Sequence, residues 1–119
     1  MIQVQIEQMP GYLAARFIGE CTVKEAIQQF ELIAENCART NNSKLLVDWT
    51  GAYGHASLAE RYFMGESARI FAHYKLKVAS VSRPEQQDSK LFIELVARNR
   101  RVNFRVFSDA QSAVEWLLK

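Results

Sequence analysis

The sequence predicts an α/β protein in which a mixed five-stranded sheet, an N-terminal antiparallel hairpin followed by parallel strands, packs against four amphipathic helices. Two observations support this fold class. Apolar residues recur at every second position in some segments and at every third or fourth position in others. These two spacings give the order β-β-α-β-α-β-α-β-α, and strands separated by helices usually pair in parallel.

The first two strands are predicted to form a hairpin. Residues 2–7 alternate apolar with polar side chains, which is typical of a strand with one face in water. Pro10-Gly11 supplies turn chemistry, and residues 12–18 form a second extended run. We expect this hairpin at one edge of the sheet, where the polar alternation is tolerated.

The first helix follows Gly19, where the spacing changes. Thr22 and Glu25 form a capping box at its start. Asn41-Asn42 is suited to the left-handed conformation that ends a helix, and residues 45–47 then read as a strand buried on both faces. The apolar residues with helical spacing are Val23, Ala26, Ile27, Phe30, Ile33, Ala34 and Cys37.

A loop is predicted over residues 48–56, which include two glycines. Ser57 and Glu60 repeat the capping box and begin a helix that is expected to continue to about Tyr74. Gly65 interrupts this helix at a cost of about 1 kcal/mol relative to alanine. The glycine therefore predicts either a bend or the close approach of another backbone.

The remaining elements complete the sheet. Residues 78–81 and 102–107 read as strands, and Arg83-Pro84 leads into the helix between them. The inner face of that helix is predicted to carry Leu91, Phe92, Leu95 and Val96. Ser108 and Gln111 are predicted to cap a last helix, with inward residues Ala110, Ala113, Val114 and Leu117.

Length and composition predict one globular domain over residues 1–119. Apolar residues make up 49% and charged residues 24% of the chain, as in ordinary globular proteins. No apolar stretch approaches the roughly 20 residues of a membrane span, and residues 1–8 do not resemble a secretory signal. We therefore expect a cytoplasmic protein without a membrane span.

Charge and cysteine content argue against several functions. The net charge of +2 is too small for the basic surface that nucleic-acid binding needs, and the four arginines near residue 100 suit a solvated helix end. Cys21 and Cys37 lack a metal or redox spacing, so we expect free thiols. His55 and His73 have no convincing ligand partners, and neither a metal nor a cofactor is expected.

Two short stretches resemble a known family. Residues 46–51 read Leu-Val-Asp-Trp-Thr-Gly, and residues 105–109 read Arg-Val-Phe-Ser-Asp, followed at 113–117 by Ala-Val-Glu-Trp-Leu. Together with the element order, they resemble the SpoIIAA-like proteins of the STAS superfamily, whose broader relatives include the CRAL-TRIO lipid-binding domains. The resemblance covers nearly the whole chain. It implies a noncatalytic regulatory or protein-interaction module.

The anti-sigma-factor antagonists of that superfamily have a strand ending in Asp-x-Ser/Thr and an Asp-Ser-Ser-Gly sequence in which a serine is phosphorylated. Asp48 and Thr50 match the first pattern. The second would fall near Ser57, where residues 55–58 read His-Ala-Ser-Leu without the acidic neighbour, the second serine or the glycine. The resemblance thus makes Ser57 a candidate for regulatory phosphorylation, while helix capping explains the same residue.

The loop and first helical turns after the strand at 45–47 form the candidate ligand- or partner-binding region. Ligands in open α/β sheets usually bind at the carboxyl ends of parallel strands. The candidate residues are Trp49, Thr50, Tyr53, His55, Ser57 and Tyr62. The alternative is that Trp49 and Tyr62 are core or rim aromatics that bury apolar area.

Three functions follow from these observations. The first is the interaction module, with a protein partner or a homodimer; Trp116 could mark a homodimer contact or anchor the core. The second is a carrier or sensor of a small apolar or amphipathic, lipid-like ligand. The third is an enzyme using Asp48, His55 or Ser57, which is disfavoured because no exposed nucleophile or oxyanion-type glycine signature accompanies them.

Overall fold

The computed structural model describes residues 2–119 and contains one five-stranded sheet with strand order β1-β2-β3-β4-β5. The predicted fold class and element order are confirmed. The strands are β1 (Gln3–Met9), β2 (Tyr12–Glu20), β3 (Lys44–Tyr53), β4 (Lys77–Val81) and β5 (Asn103–Phe107). The helices are α1 (Val23–Arg39), α2 (Leu58–Ser67), α3 (Arg69–His73), α4 (Gln87–Asn99) and α5 (Ala110–Leu117), with a 3-10 turn at Pro84–Gln86.

The N-terminal hairpin lies at the sheet edge, as predicted. Strand β1 pairs antiparallel with β2, and β2, β3, β4 and β5 are parallel. Gly11 makes the turn with φ of +87°, a conformation that glycine adopts without steric cost. Strands β2, β3 and β4 are therefore the interior of the sheet and β5 is its second edge strand, and the carboxyl ends of the four parallel strands lie at the same end of the sheet.

The two faces of the sheet are covered unequally. Helices α1 to α4 pack on one face, and α5 alone packs on the other. The larger core contains aromatic and aliphatic side chains from both layers, among them Phe17, Phe30, Ile33, Leu45, Val47, Trp49, Phe71, Val78 and Ile93. The smaller core is made by Tyr12, Ala14, Leu46, Ala79, Val81, Ala113 and Leu117.

Strand β3 is longer than predicted. Residues 48–56 were expected to be a loop, but β3 continues to Tyr53 because β2 extends beside it and pairs through Glu20. Phe17 of β2 lies opposite two residues of β3, Trp49 and Thr50, which is a β-bulge. The extra residue reverses the alternation of side chains, so Ala52 lies on the same core face as Trp49. Because of the bulge, the Ala52 side chain faces the core beneath helices α1 to α4.

The second predicted helix is broken, but not at the expected place. Helix α2 ends at Ser67, and α3 begins after the buried Ala68. Gly65 lies inside α2, where a Cβ atom would come within 2.6 Å of the Val96 Cβ atom and 2.9 Å of the Ile93 carbonyl oxygen. Of the two predicted reasons for this glycine, close packing against α4 is therefore correct.

The inner face of α4 differs from the prediction. Ile93, Val96 and Ala97 are buried, while Leu91 and Leu95 are exposed. This helix has apolar residues on more than one stripe, so spacing alone did not distinguish the stripe that meets β5 and α2. Packing against Gly65 selects the stripe that contains Val96.

Two boundaries near the C-terminus also need correction. The cap of α5 is Asp109, whose carboxylate accepts a hydrogen bond from the Ser112 N–H at 2.8 Å, rather than Ser108 with Gln111. A carboxylate there interacts favourably with the helix dipole. Ala110 consequently starts the helix and is exposed, whereas Ala113 and Leu117 are buried as predicted.

Other local predictions are confirmed. Thr22 and Ser57 each form a complete capping box, with Glu25 and Glu60 respectively. Asn41 ends α1 in the left-handed conformation, with φ of 57°. Cys21 and Cys37 are free thiols. Among residues 2–119, no helix combines the length and hydropathy required to cross a bilayer.

Candidate functional site

A pocket of about 170 Å³ lies at the carboxyl end of β3. Its walls come from four segments: the start of α1, the end of β3, the inner side of α2, and the 3-10 turn with the first turn of α4. The pocket therefore occupies the position at which open α/β sheets usually bind ligands.

Hydrogen bonds to the main-chain carbonyl oxygens of β3 hold the end of this strand in place. The Gln86 side-chain amide donates to the carbonyl oxygens of Trp49 and Ala52 at 3.1 and 3.0 Å. The Cys21 N–H donates to the Tyr53 carbonyl at 2.9 Å. Gly54 has φ of +146°, and a Cβ atom there would lie 2.5 Å from the Cys21 carbonyl oxygen. Only glycine allows the segments that contain Gly54 and Cys21 to approach each other this closely at the pocket rim.

Trp49 anchors the core and also lines the pocket. The residue is 5% exposed. Its ring stacks on Phe17 with centroids 4.2 Å apart and meets Phe30 edge-on at 6.2 Å. These aromatic contacts fix the orientation of the indole. The alternative that Trp49 is a core aromatic and the prediction that it lines a site are both compatible with its position.

Lys90 lines the pocket but was not among the site residues predicted from the sequence. Its ammonium nitrogen lies 3.6 Å from the centroid of the Trp49 ring. Within residues 2–119, no carboxylate lies at ion-pair distance from it. Loss of water around the ammonium lowers the pKa of Lys90 to about 8. The available signal was helical spacing, because Lys90 precedes the buried Ile93 by three residues and so shares its face.

The other polar groups of the pocket are mostly engaged. The Arg61 guanidinium donates to the Ala56 carbonyl at 3.1 Å, and the Glu85 carboxylate pairs with Arg83 at 2.5 Å. Partial burial, assisted by the Glu25 carboxylate, raises the pKa of the Cys21 thiol. Among the described residues, the Lys90 ammonium therefore forms neither a hydrogen bond nor an ion pair in the pocket.

The predicted site residues fall into two groups. Trp49, Tyr53 and His55 line the pocket. Thr50 lies outside it and binds Asp48, whose carboxylate accepts hydrogen bonds from the Thr50 N–H at 2.9 Å and hydroxyl at 2.6 Å. Of the remaining two residues, Ser57 is the N-cap of α2 and Tyr62 lies within that helix.

Ser57 caps α2 through its hydroxyl, which accepts a hydrogen bond from the Glu60 N–H at 3.2 Å. Tyr62 lies further along the same helix, where its hydroxyl accepts a hydrogen bond from Arg100 at 2.7 Å. Asp48 and Ser57 are thus held by local contacts, while His55 lines the pocket. No hydrogen bond joins any two of these three side chains in the part of the chain that the structure describes.

Helix α2 presents an exposed apolar surface, which we define as Leu58, Tyr62 and Phe63. These side chains are 63%, 39% and 57% exposed. Residues four apart on a helix are neighbours, and the rings of Tyr62 and Phe63 meet edge-on at 6.0 Å. The α2 apolar surface therefore continues from the cap at Ser57 for more than one turn.

Trp116 lies on the opposite side of the sheet. Its ring packs against Phe107 at 5.7 Å, and the Lys77 ammonium lies 4.5 Å from its centroid. Lys77 also donates to the Trp116 carbonyl. Trp116 is half-buried and packs against the smaller core, as the core-anchor alternative predicted.

Comparison with known proteins places the fold. No protein-family profile matches this sequence, and no curated protein sequence matches it significantly. The structure is similar to that of an anti-sigma factor antagonist from Mycobacterium paratuberculosis, with a TM-score of 0.65 and 14% identity over 100% of this chain and 96% of that chain.

A second similar structure is an uncharacterized protein of the DUF3478 family with a SpoIIAA-like fold from Shewanella loihica. The TM-score is 0.57 and the identity 23%, over 98% of this chain and 93% of that chain. Both similarities extend over nearly the full length of the two proteins compared. The chain therefore has the SpoIIAA-like fold that its sequence resemblance predicted.

Proposed function

We propose that residues 1–119 act as a noncatalytic regulatory module of STAS type, which binds a protein partner through the α2 apolar surface. The observation that carries this proposal is the exposure of Leu58, Tyr62 and Phe63 on adjacent turns of one helix. The structural similarity to an anti-sigma factor antagonist supports the same class of role.

Physical chemistry favours an interface at this surface. Single exposed apolar side chains are ordinary, but contiguous aromatic and aliphatic groups leave apolar area in water that a partner would bury. Tyrosine and phenylalanine are enriched in interface cores. Ser57, which caps this helix, would form the rim.

Phosphorylation of Ser57 is not part of this proposal. The Ser57 hydroxyl accepts from the Glu60 N–H, and the Glu60 carboxylate in turn accepts from the Ser57 N–H at 2.9 Å. A phosphate on Ser57 would disrupt this reciprocal cap and face the Glu60 carboxylate, and like charges repel. Helix capping is a sufficient reason for a serine at position 57, and no phosphorylation switch is needed to explain it.

The experiment compares affinity-tagged wild-type protein with a Leu58→Ser/Phe63→Ser double variant in cells of the source organism. Leu32→Ser is the matched control, since Leu32 is an apolar residue of α1, not of α2, and is 56% exposed. Quantitative mass spectrometry should recover a partner with wild type and Leu32→Ser but not with the double variant. Binding of the purified partner should then weaken at least about tenfold, which corresponds to about 1.4 kcal/mol.

Equal recovery of every enriched protein by the double variant would show that α2 is not the interface. Failure of the purified proteins to bind each other would refute a direct interaction. Circular dichroism of all three proteins must agree, because the substitutions concern exposed side chains and should leave the fold intact.

A further inference from the structure

We propose that the pocket beside Trp49 binds a small carboxylate with an apolar body, whose carboxylate pairs with the Lys90 ammonium and whose body packs against Trp49 and Met64. This site is separate from the α2 apolar surface, since none of Leu58, Tyr62 and Phe63 lines the pocket. Binding here does not depend on the proposed protein partner.

The charge of the pocket selects an anion. Lys90 has no carboxylate at ion-pair distance among the residues described, while the Glu85 carboxylate at the rim is paired with Arg83. The capping box of Thr22 and Glu25 already occupies the start of α1, so an incoming carboxylate would pair with the Lys90 ammonium.

The walls of the pocket select an apolar body. The Trp49 ring, Ala26, Ala52 and Met64 all contribute to the lining. A cavity of about 150 Å³ accommodates benzene, and the pocket has a volume of about 170 Å³. A body the size of a benzene ring or a short alkyl chain fits this space.

A singly charged carboxylate fits better than inorganic phosphate. The ammonium of Lys90 is partly stripped of water and lies against the face of the Trp49 ring. One pairing anion offsets the cost of its desolvation, but a more highly charged and strongly hydrated ion would need additional donors. Phosphate also has no apolar surface to place against Trp49.

The experiment uses benzoate and hexanoate as probes, with benzamide, hexanamide and inorganic phosphate as comparisons. Trp116→Phe serves as the background, so that fluorescence reports Trp49 alone. Benzoate or hexanoate should saturate the signal with an affinity at least about tenfold higher than that of the matching amide. Phosphate should bind no better than the amide.

Lys90→Met should lower the carboxylate affinity to that of the amide while removing little volume. Lys77→Met is the control for the loss of a lysine charge, because Lys77 does not line the pocket and packs against residue 116 on the other face of the sheet. This control should bind as the background protein does. Circular dichroism verifies that each variant is folded.

Nuclear magnetic resonance supplies a second readout that needs no variant. Benzoate should shift the side-chain resonances of Lys90 and the indole N–H of Trp49, and benzamide at the same concentration should shift Lys90 far less. Equal affinity for acid and amide, preference for phosphate, an unchanged affinity in Lys90→Met, or no saturable binding up to about 10 mM would each overturn the proposal. None of these outcomes bears on the α2 apolar surface, which the partner experiment tests separately.

Discussion

The ammonium of Lys90 lies 3.6 Å from the centroid of the Trp49 ring, inside a pocket at the carboxyl end of β3. The negative face of the indole attracts this cation, and the attraction offsets part of the cost of removing water from it. Because Trp49 is itself fixed by Phe17 and Phe30, the cation has a defined position. The pair thus links the core to the candidate site.

The first prediction concerns the pH dependence of stability. The pKa of Lys90 is about 8 in the folded protein and 10.5 without the influence of its surroundings. Between these values the unfolded chain binds more protons, so the contribution of Lys90 to stability rises with pH. We expect Lys90→Met to stabilise the protein most at neutral pH, and this advantage should shrink as pH rises through 8 towards 10.5.

The measurement is urea unfolding of wild type and Lys90→Met across this range. Both proteins carry Cys21→Ser, because the Cys21 thiolate interacts with the Lys90 ammonium and its titration would not cancel, whereas titration of Cys37 affects both proteins alike. Lys77→Met, treated in the same way, shows how much of the effect any lysine over a tryptophan would produce. A difference between wild type and Lys90→Met that is constant with pH would contradict the desolvation of Lys90.

The second prediction concerns Gly65. Glycine to alanine usually stabilises a helix by about 1 kcal/mol. At this position the new Cβ atom would meet Val96 and the Ile93 carbonyl closer than van der Waals contact allows. Overpacking costs about 1–3 kcal/mol, so Gly65→Ala should destabilise the protein, as measured by the free energy of unfolding.

The exposed Ala59 on the same helix provides the comparison. Ala59→Gly should cost about 1 kcal/mol from helix propensity alone. A stabilising Gly65→Ala substitution would mean that α2 and α4 are further apart than the structure places them.

The third prediction concerns the helix cap at Ser57. Ser57→Ala removes the hydroxyl that accepts from the Glu60 N–H and should lower the free energy of unfolding by about 1 kcal/mol. Ser57→Asp should retain most of the stability, because aspartate is also a good cap. Thermal denaturation measures both, and Thr22→Ala in the equivalent box of α1 gives a reference value. An unaffected Ser57→Ala variant would show that the cap contributes nothing.

The fourth prediction concerns the two thiols. Cys37 is fully buried, and its burial raises its pKa to about 11, while Cys21 is only partly buried. The thiolate is the reactive form. A thiol reagent such as dithionitrobenzoate should therefore modify Cys21 first in the native protein and reach Cys37 only at a rate that increases with denaturant. Cys21→Ser and Cys37→Ser assign the phases, and rapid native modification of Cys37 would contradict its burial.

Most local elements were predictable because short-range patterns determine them. The capping boxes at Thr22 and Ser57 need only two residues three positions apart, and both formed. The prediction of a loop over residues 48–56 was wrong because the length of a strand depends on its pairing. Strand β2 is the partner beside which β3 extends to Tyr53. The predicted inner face of α4 was only partly right, with Val96 buried but Leu91 and Leu95 exposed, because the helix has apolar residues on more than one face.

The candidate site was predicted in part. The rule about the carboxyl ends of parallel strands grouped Trp49, Tyr53 and His55 together, and these three residues line one pocket. It placed Thr50, Ser57 and Tyr62 in the same region, but the bulge at residues 49–50 and the cap of α2 direct them elsewhere. Lys90 was missed because it is 41 positions from Trp49 in sequence, and its helical spacing relative to Ile93 indicates a shared face but not a contact with Trp49.

By itself, the sequence determined the alternation of strands and helices, their order and the edge position of the hairpin, because hydrophobic spacing and turn residues act over a few positions. Only the tertiary structure decided that α2 would pack on α4 through Gly65 and that Lys90 would lie on Trp49. Contacts between residues far apart in the chain depend on how whole elements are arranged, and no local pattern encodes that arrangement.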